Sequence, residues 1–283
     1  MSATFVVVPQ WQGSSSSRAM RLIDGAEAIR GDLPSAATRT VEIPAGAGES
    51  LETGILRFSS ISAVAEALDA ALDDTVPGTT PVVVGGDCGV EFAAVRHAVA
   101  ARSEPVAVVW FDAHPDIHSP ETSPTGAFHD MVVRALLGEA PEELTGGRRI
   151  VAPEHLVLAG TRAFDDAEAA YLDSTSIAVV GADRLGSGSG SGSEALVDAV
   201  RATGARSVYI HVDLDVLDPA EISGITHPEP FGLTVAALTD AVRAVRAEFE
   251  LVGAGITEFA PNAPDAAVDD LPAILRIVSA LVR

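Results

Sequence analysis

The sequence predicts an α/β protein built on a parallel sheet, and three observations carry that expectation. Short runs of apolar, largely β-branched residues alternate with longer alanine-rich stretches of helical character. The short runs are apolar throughout instead of alternating with polar residues, as strands buried on both faces require. With 283 residues, 47% of them hydrophobic, the chain can bury a large core, which excludes disorder as a class. In order, Phe5–Val8 is the first expected strand, and Asp32 to Ser50 is loop-like, broken by Pro34, Pro44, Gly46 and Gly48. A helix is expected over Ser60–Leu72 with Ser60 marking its start, then a strand over Pro81–Gly85 and a helix over Val90–Arg102. Strand Val106–Phe111, helix His129–Leu137, strand His155–Leu158, helix Glu168–Leu172 and strand Ile177–Val180 continue the alternation. The glycine–serine tract from Leu185 to Ser193 reads as a flexible surface loop before a helix over Glu194–Arg201. Strand Ser207–His211, helix Thr234–Phe249 capped by Thr234, strand Leu251–Ile256 and helix Leu271–Val282 complete the pattern. Such repeated alternation is expected to form one doubly wound domain over residues 1–283, with helices on both sides of the sheet.

Charge narrows the function classes. The chain has 18 cationic residues, all of them arginine, against 40 acidic ones, for a net charge of −22. It should repel phosphate backbones, so nucleic acid and anionic membranes are not expected partners, whereas metal ions and organic cations are. A single cysteine excludes an intrachain disulfide and suits a reducing compartment. Neither a basic-then-apolar leader nor a long uncharged apolar stretch is evident, so the expected location is the cytoplasm.

In an open parallel sheet, ligands bind beyond the carboxyl ends of the strands. Three such ends are rich in groups that can hold metals: Gly85-Gly86-Asp87-Cys88-Gly89, Asp112-Ala113-His114-Pro115-Asp116, and Asp213-Leu214-Asp215 with Asp218-Pro219 close behind. Residues two apart on an extended chain point to one side. Pro115 keeps His114 out of the helical region and so helps to keep that stretch extended. Asp112, His114, Asp116, Asp213 and Asp215 would therefore converge if their two strands are neighbours. Four carboxylates in one small volume repel, and divalent cations remove the repulsion. Oxygen-rich ligands with an occasional imidazole favour Mn²⁺, Mg²⁺ and similar hard ions.

DAHPD, DLDVLDP, the GGD of GGDCG and Glu258 in ITEFAP together resemble the arginase/agmatinase (ureohydrolase) family, from Pro9-Gln10-Trp11-Gln12-Gly13 to the last strand. The resemblance implies an eight-stranded parallel sheet in a three-layer α/β/α arrangement, assembled as a homo-oligomer, a trimer or hexamer. It also implies a two-manganese site that hydrolyses small guanidino compounds to urea through a metal-bridging hydroxide. Asp112 and Asp213 would bridge the metals. Asp116 would complete one shell, with Cys88 where the family has His, and His114 and Asp215 would complete the other. Asp116 would also accept a hydrogen bond from the hydroxide, and Glu258 would pair with the guanidinium nitrogens. His129 would serve the leaving amine, and Asp165 would contact a substrate α-amino group.

Several positions depart from the family pattern. Besides Cys88, His118 stands where arginases have Asn, Thr125-Gly126-Ala127-Phe128-His129 replaces Ser-Gly-Asn-x-His, and Ile225-Thr226-His227-Pro228 replaces a Gly-Thr-Gly-Thr-Pro type of segment. His118 and His227 are either new substrate contacts or solvated loop residues, and L-arginine is not the expected best substrate. Among the other histidines, His97 reads as surface or interface and His155 as the start of a strand, while His211, which shares a face with Asp213 one step deeper, reads first as a satisfied core residue and otherwise as a hydrogen-bonding support for the ligands. Two alternatives share these motifs: a single-metal amide hydrolase of deacetylase type using Asp112, His114, Asp213 and Asp215, and a catalytically silent relative. Metal content of about two, one or none per chain would separate them, and two requires Cys88 to act as a ligand.

Overall fold

A computed structural model describes residues 2–186 and 191–283. Eight parallel strands form one sheet: β1 (Ala3–Val8), β2 (Thr38–Thr40), β3 (Thr80–Gly85), β4 (Val106–Phe111), β5 (Leu156–Ala159), β6 (Ala178–Val180), β7 (Ser207–Asp213) and β8 (Glu250–Thr257). Their spatial order is β2-β1-β3-β8-β7-β4-β5-β6. The helices are α1 (Arg21–Gly31), α2 (Phe58–Asp73), α3 (Glu91–Ala100), α4 (Val132–Leu136), α5 (Glu142–Thr145), α6 (Asp166–Asp173), α7 (Ala182–Leu185), α8 (Ser191–Ala202), α9 (Val235–Glu248) and α10 (Ala267–Val282).

The apolar strands bury both faces because successive side chains point to opposite sides. Phe5, Val7, Val82, Val84, Val109 and Phe111 pack with residues of α1, α8, α9 and α10. Val6, Val8, Val83, Val108 and Trp110 pack instead with α2, α3 and α4. This is the three-layer α/β/α arrangement expected from the sequence.

Several boundaries differ from expectation. Strand β2 lies in the segment read as loop; it is only Thr-Arg-Thr, paired to β1 alone at the sheet edge, so no apolar run announces it. Helix α1 was not anticipated because Gly25 interrupts it, yet a Cβ there would lie 1.8 Å from the Phe259 carbonyl oxygen. Ser60 does not start its helix: α2 begins at Phe58 after Arg57, whose φ is +58°, and Ser60 is buried within the helix. His155 ends a short 3₁₀ turn before β5 instead of opening the strand. Thr234 does cap α9, accepting from the Ala237 N–H at 3.1 Å. The body of the glycine–serine tract, 187–190, lies outside the described residues, and α8 already begins at Ser191. Among the described residues, no helix is long and apolar enough to cross a membrane.

Candidate metal and substrate site

The four central strands β3, β8, β7 and β4 are consecutive neighbours. Their carboxyl ends therefore bring Cys88, Glu258, Asp213 and Asp112 side by side. The pairing of β4 with β7 aligns Phe111 with Val212, which supplies the neighbour relation that the two aspartate motifs require. One local device recurs at three of these ends. An aspartate accepts from the backbone N–H two residues on: Asp87 from Gly89 at 2.9 Å, Asp112 from His114 at 2.7 Å, and Asp213 from Asp215 at 2.8 Å. This Asx-type turn stops the strand and leaves the second oxygen of each carboxylate free for other partners.

Asp87 serves the scaffold. Its carboxylate also takes hydrogen bonds from the Gln10 side chain (2.8 Å) and the Gly13 N–H (2.9 Å), tying the Gln10–Gly13 loop to β3. Burial raises its pKa to about 6 despite these donors.

Around the other carboxylates, His114 Nδ1 lies 3.0 Å from Asp215 Oδ2 and 3.6 Å from Asp112 Oδ1. Cys88 Sγ is 3.1 Å from Asp213 Oδ2 and 3.1 Å from Thr257 Oγ1. Glu258 Oε1 accepts from the Cys88 N–H at 3.2 Å, and its Oε2 accepts from the Thr226 hydroxyl at 2.9 Å. Asp116 and Glu258 hold φ values of +52° and +66°. Non-glycine residues in this left-handed region cost energy and tend to cluster where a side chain must be aimed.

Electrostatically the cluster needs cations. Burial, followed by repulsion from neighbouring carboxylates, raises the pKa of Asp112 and drives those of Asp116, Asp213 and Glu258 well up. Burial and the same carboxylates push the Cys88 thiol up as well. His114 resists its own burial because Asp215 and Asp112 hold its proton, which moves its pKa to about 12. Asp215 is correspondingly lowered by His114 in spite of burial. A buried oxygen of Asp116, Oδ2, has no hydrogen-bond partner. Ligand-competent atoms of Asp112, His114 and Asp215 lie within 4.8 Å of one another, as do those of Cys88, Asp213 and Glu258. Carboxylate, imidazole and thiol donors in this density fit divalent cations, which would satisfy the orphan oxygen and remove the repulsion.

A cavity of about 230 Å³ opens onto this cluster, lined by His114, Asp116, Asp213, Asp215 and Glu258 together with Ser15, His118, Thr125, His129, Asp130, Glu168 and His227. Of the residues expected to meet substrate, Glu258, His118, His129 and His227 face the cavity. Asp165 does not line it. Instead its Oδ1 caps α6 by accepting from the N–H groups of Ala167 (2.8 Å) and Glu168 (2.9 Å), while Glu168 reaches back to the Asp165 N–H. That reciprocal pairing is a capping box, written in the sequence as Asp-x-x-Glu. Glu168 and Asp130, neither expected from the sequence to meet substrate, are the acids outside the metal-competent cluster that line the cavity. His118 is buried, with its Nε2 3.6 Å from both Asp165 and Glu168, so it is not a solvated loop residue.

His129 sits in a 3₁₀ turn, Phe128–Met131, with Nε2 3.0 Å from Ser15 Oγ and its ring stacked on His227 at 5.1 Å. Burial and the charges of His227 and His114 depress its pKa to about 3. Ser15 and Thr226 were not singled out from sequence, because a hydroxyl in a loop carries no signal until the fold brings it to its partner. Arg162, next to Thr161 at the end of β5, donates to the carbonyls of Asp215, Val216 and Glu229 at 2.9, 3.2 and 2.8 Å, so it braces the walls of the site.

A carboxylate-rich cleft at the carboxyl edge of a parallel α/β/α sheet, with donors arranged for divalent cations, defines the class of protein. The family model that matches residues 14–276 is the arginase family. The arginase of Bacillus caldovelox is 34% identical over 235 residues, which is 78% of this chain and 75% of that protein. The chain therefore belongs to the arginase family, whose members are hydrolases of guanidino C–N bonds. The fold agrees with the crystal structure of Entamoeba histolytica arginase in complex with L-ornithine: TM-score 0.86, 21% identity, 99% of each chain covered. It also agrees with formimidoylglutamase of Bacillus subtilis: TM-score 0.76, 20% identity, 99% of this chain and 86% of that one.

Proposed function

We propose that this chain is a manganese-dependent hydrolase of a small cationic guanidino compound, releasing urea. The observation that carries this reading is the convergence of Asp112, His114, Asp116, Asp213, Asp215 and Cys88 beside a cavity that Glu258 faces. Asp112 and Asp213 would be shared between two Mn²⁺ ions; His114 and Asp215 would complete one shell, and Cys88 and Asp116 the other. When bound, such cations supply acidified water and Lewis acidity at neutral pH.

The chain's own residues do the rest. Glu258, fixed by Thr226 and the Cys88 N–H, offers a carboxylate to the planar guanidinium fork. His129 is neutral, with Ser15 Oγ 3.0 Å from its Nε2, and would serve the leaving amine as a relay, taking up a proton from solvent on its unprotonated ring nitrogen as the other nitrogen gives its proton to the amine. Asp130 and Glu168 add negative charge to the cavity wall, and among the described residues no arginine lines it. Away from the metal ligands, a substrate carboxylate would find no arginine to pair with. Ala127 is buried and offers no side-chain hydrogen bond where arginases have Asn. L-Arginine should therefore be a poorer substrate than a guanidino compound with a cationic or neutral tail. One lost charge-assisted hydrogen bond is worth roughly 1.5–3 kcal/mol, or about 10- to 150-fold. The same reading makes the chain a cytoplasmic homo-oligomer, a trimer or hexamer, formed from one domain over residues 1–283.

Urea release from arginine, agmatine and guanidino acids of graded length, after Mn²⁺ loading, tests the proposal. A clear preference for L-arginine over every other member would overturn the substrate assignment. Asp213→Ala should abolish both metal retention and the metal-induced rise in Tm, and full metal content in that variant would refute the site.

A further inference from the structure

The imidazole absent from position 88, just after β3, has a counterpart on β7, two strands along the sheet. His211 lies on β7 two residues before Asp213, opposite Trp110 of β4, and its ring stacks on that indole at 3.6 Å. It is fully buried. Its Nε2 lies 3.7 Å from Cys88 Sγ, and its Nδ1 lies 3.3 Å from Glu91 Oε2. Ligand-competent atoms of Cys88, Asp112 and His211 fall within 4.8 Å of one another. A core histidine normally satisfies both ring nitrogens with hydrogen bonds. Here Nδ1 has no well-formed hydrogen bond, and Nε2 faces a sulfur among carboxylates.

The surroundings of this histidine are built to hold it. Glu91 is fully buried and accepts from the Tyr209 hydroxyl at 2.8 Å. Strand β8 makes room for both. A Cβ on Gly255, which is in register with His211, would lie 2.0 Å from Glu91 Oε1, and one on Gly253 would lie 2.8 Å from the Tyr209 ring. Glycine weakens a strand interior, so two of them beside a buried carboxylate mark a site where space outweighs strand propensity. A carboxylate on the far nitrogen of a histidine is the arrangement that fixes a metal-binding tautomer.

We infer that His211 Nε2 is a metal ligand, and that with Cys88 Sγ and an Asp112 oxygen it forms a sulfur–nitrogen–oxygen position selective for Zn²⁺ over Mn²⁺. The inference rests on the metal-hydrolase reading above and changes one half of it: the Asp112–His114–Asp215 position stays a hard-ion site beside a softer one. The separations suit four-coordination. With metal–sulfur and metal–nitrogen distances of about 2.3 and 2.0 Å, a tetrahedral sulfur–nitrogen edge is roughly 3.5 Å. Asp213 Oδ2, 3.1 Å from the same sulfur, is available as the fourth donor. On binding, Cys88 enters as thiolate and its proton leaves to solvent, while Glu91 takes the Nδ1–H hydrogen bond. Thiolate with imidazole is a zinc-type donor set, whereas Mn²⁺ prefers oxygen.

The test uses the full chain, stripped with a chelator and reloaded with Zn²⁺ or Co²⁺. X-ray absorption at the zinc edge of the wild type should show one sulfur neighbour, and the Co²⁺ form should show thiolate-to-cobalt charge-transfer absorption. His211→Phe keeps a ring against Trp110; it should lose one equivalent of Zn²⁺ on dialysis and with it the sulfur signal. Glu91→Gln should weaken Zn²⁺ binding about 10- to 100-fold without changing the saturated stoichiometry. Wild type with one bound ion and no sulfur neighbour would overturn the inference and leave the His114 position standing. So would His211→Phe with unchanged metal count and cobalt spectrum. Wild type that binds no metal would overturn both. Because the absorption measurement needs no variant, a misfolded His211→Phe does not remove the test.

Discussion

At the scale of single residues, the site is a set of protons waiting to be displaced. Asp116, Asp213 and Glu258 have their pKa values driven up by burial and mutual repulsion, and His114 holds a proton up to about pH 12 through Asp215 and Asp112. Each raised group binds more protons in the folded metal-free chain than in the unfolded one, so stability falls as pH rises through that window. His129, depressed to about 3, acts in the opposite sense only below its ordinary value of 6.5, and Asp87 titrates out near about 6. Above neutrality the surviving contributions share one sign. The Tm of chelator-treated protein should therefore drop between about pH 7 and about pH 9, and saturating Mn²⁺ should flatten that slope. A rising Tm over the same range would contradict the assigned proton occupancy. Glu258→Gln keeps the Thr226 contact but removes the charge, so kcat/KM should fall at least about 10-fold on every guanidino substrate, by steady-state urea assay. Loss confined to one substrate would instead assign Glu258 to the substrate tail.

At the scale of elements, strand ends and their loops aim the chemistry. Gly86 shows how tight this packing is: a Cβ there would lie 1.7 Å from the Gln10 carbonyl oxygen, and its N–H bonds to Val8 at 2.8 Å. Gly86→Ala must push the Gln10–Gly13 loop away from β3, at a cost near the top of the ~1–3 kcal/mol range for overpacking. Gly31 is the control. At the end of α1 it has nothing within 4 Å of an added Cβ, so Gly31→Ala should stabilise by roughly 0.4–1 kcal/mol. Denaturant midpoints of the two variants check the contrast, and equal values would mean that the loop yields without cost. Elements also differ in how well sequence announces them. The apolar runs of β3, β4, β7 and β8 declare themselves, whereas β2 depends on its pairing with β1 and α1 on Gly25 letting it approach the Phe259 carbonyl closely, relations that no local pattern encodes.

At the scale of the whole molecule, a net charge of −22 works against compactness and in favour of cations. Much of that charge lies on the surface, where added salt screens it within about a Debye length of ~10 Å at 0.1 M. Raising NaCl should therefore increase the Tm of the metal-free chain and of the Mn²⁺-loaded chain alike. A Tm indifferent to salt in both states would place the destabilising charge elsewhere than in the acidic excess.

The sequence by itself determined the class of fold and the family, because both are written in local terms. Strands buried on two faces must be apolar throughout, and DAHPD and DLDVLDP place their metal-competent side chains at alternate positions of an extended chain. Glu258 stood out only through the family resemblance of ITEFAP at the end of an expected strand. Only the tertiary structure decided which strands adjoin, and with that which side chains share a volume. It placed Glu168 on the cavity wall, with Asp130, and Asp165 off it, since a capping box turns the Asp165 carboxylate into its own helix. It brought Ser15 to His129 across more than a hundred residues of chain. It also set His211 and Glu91 behind Cys88, because β7 and the start of α3 meet only after the sheet has formed.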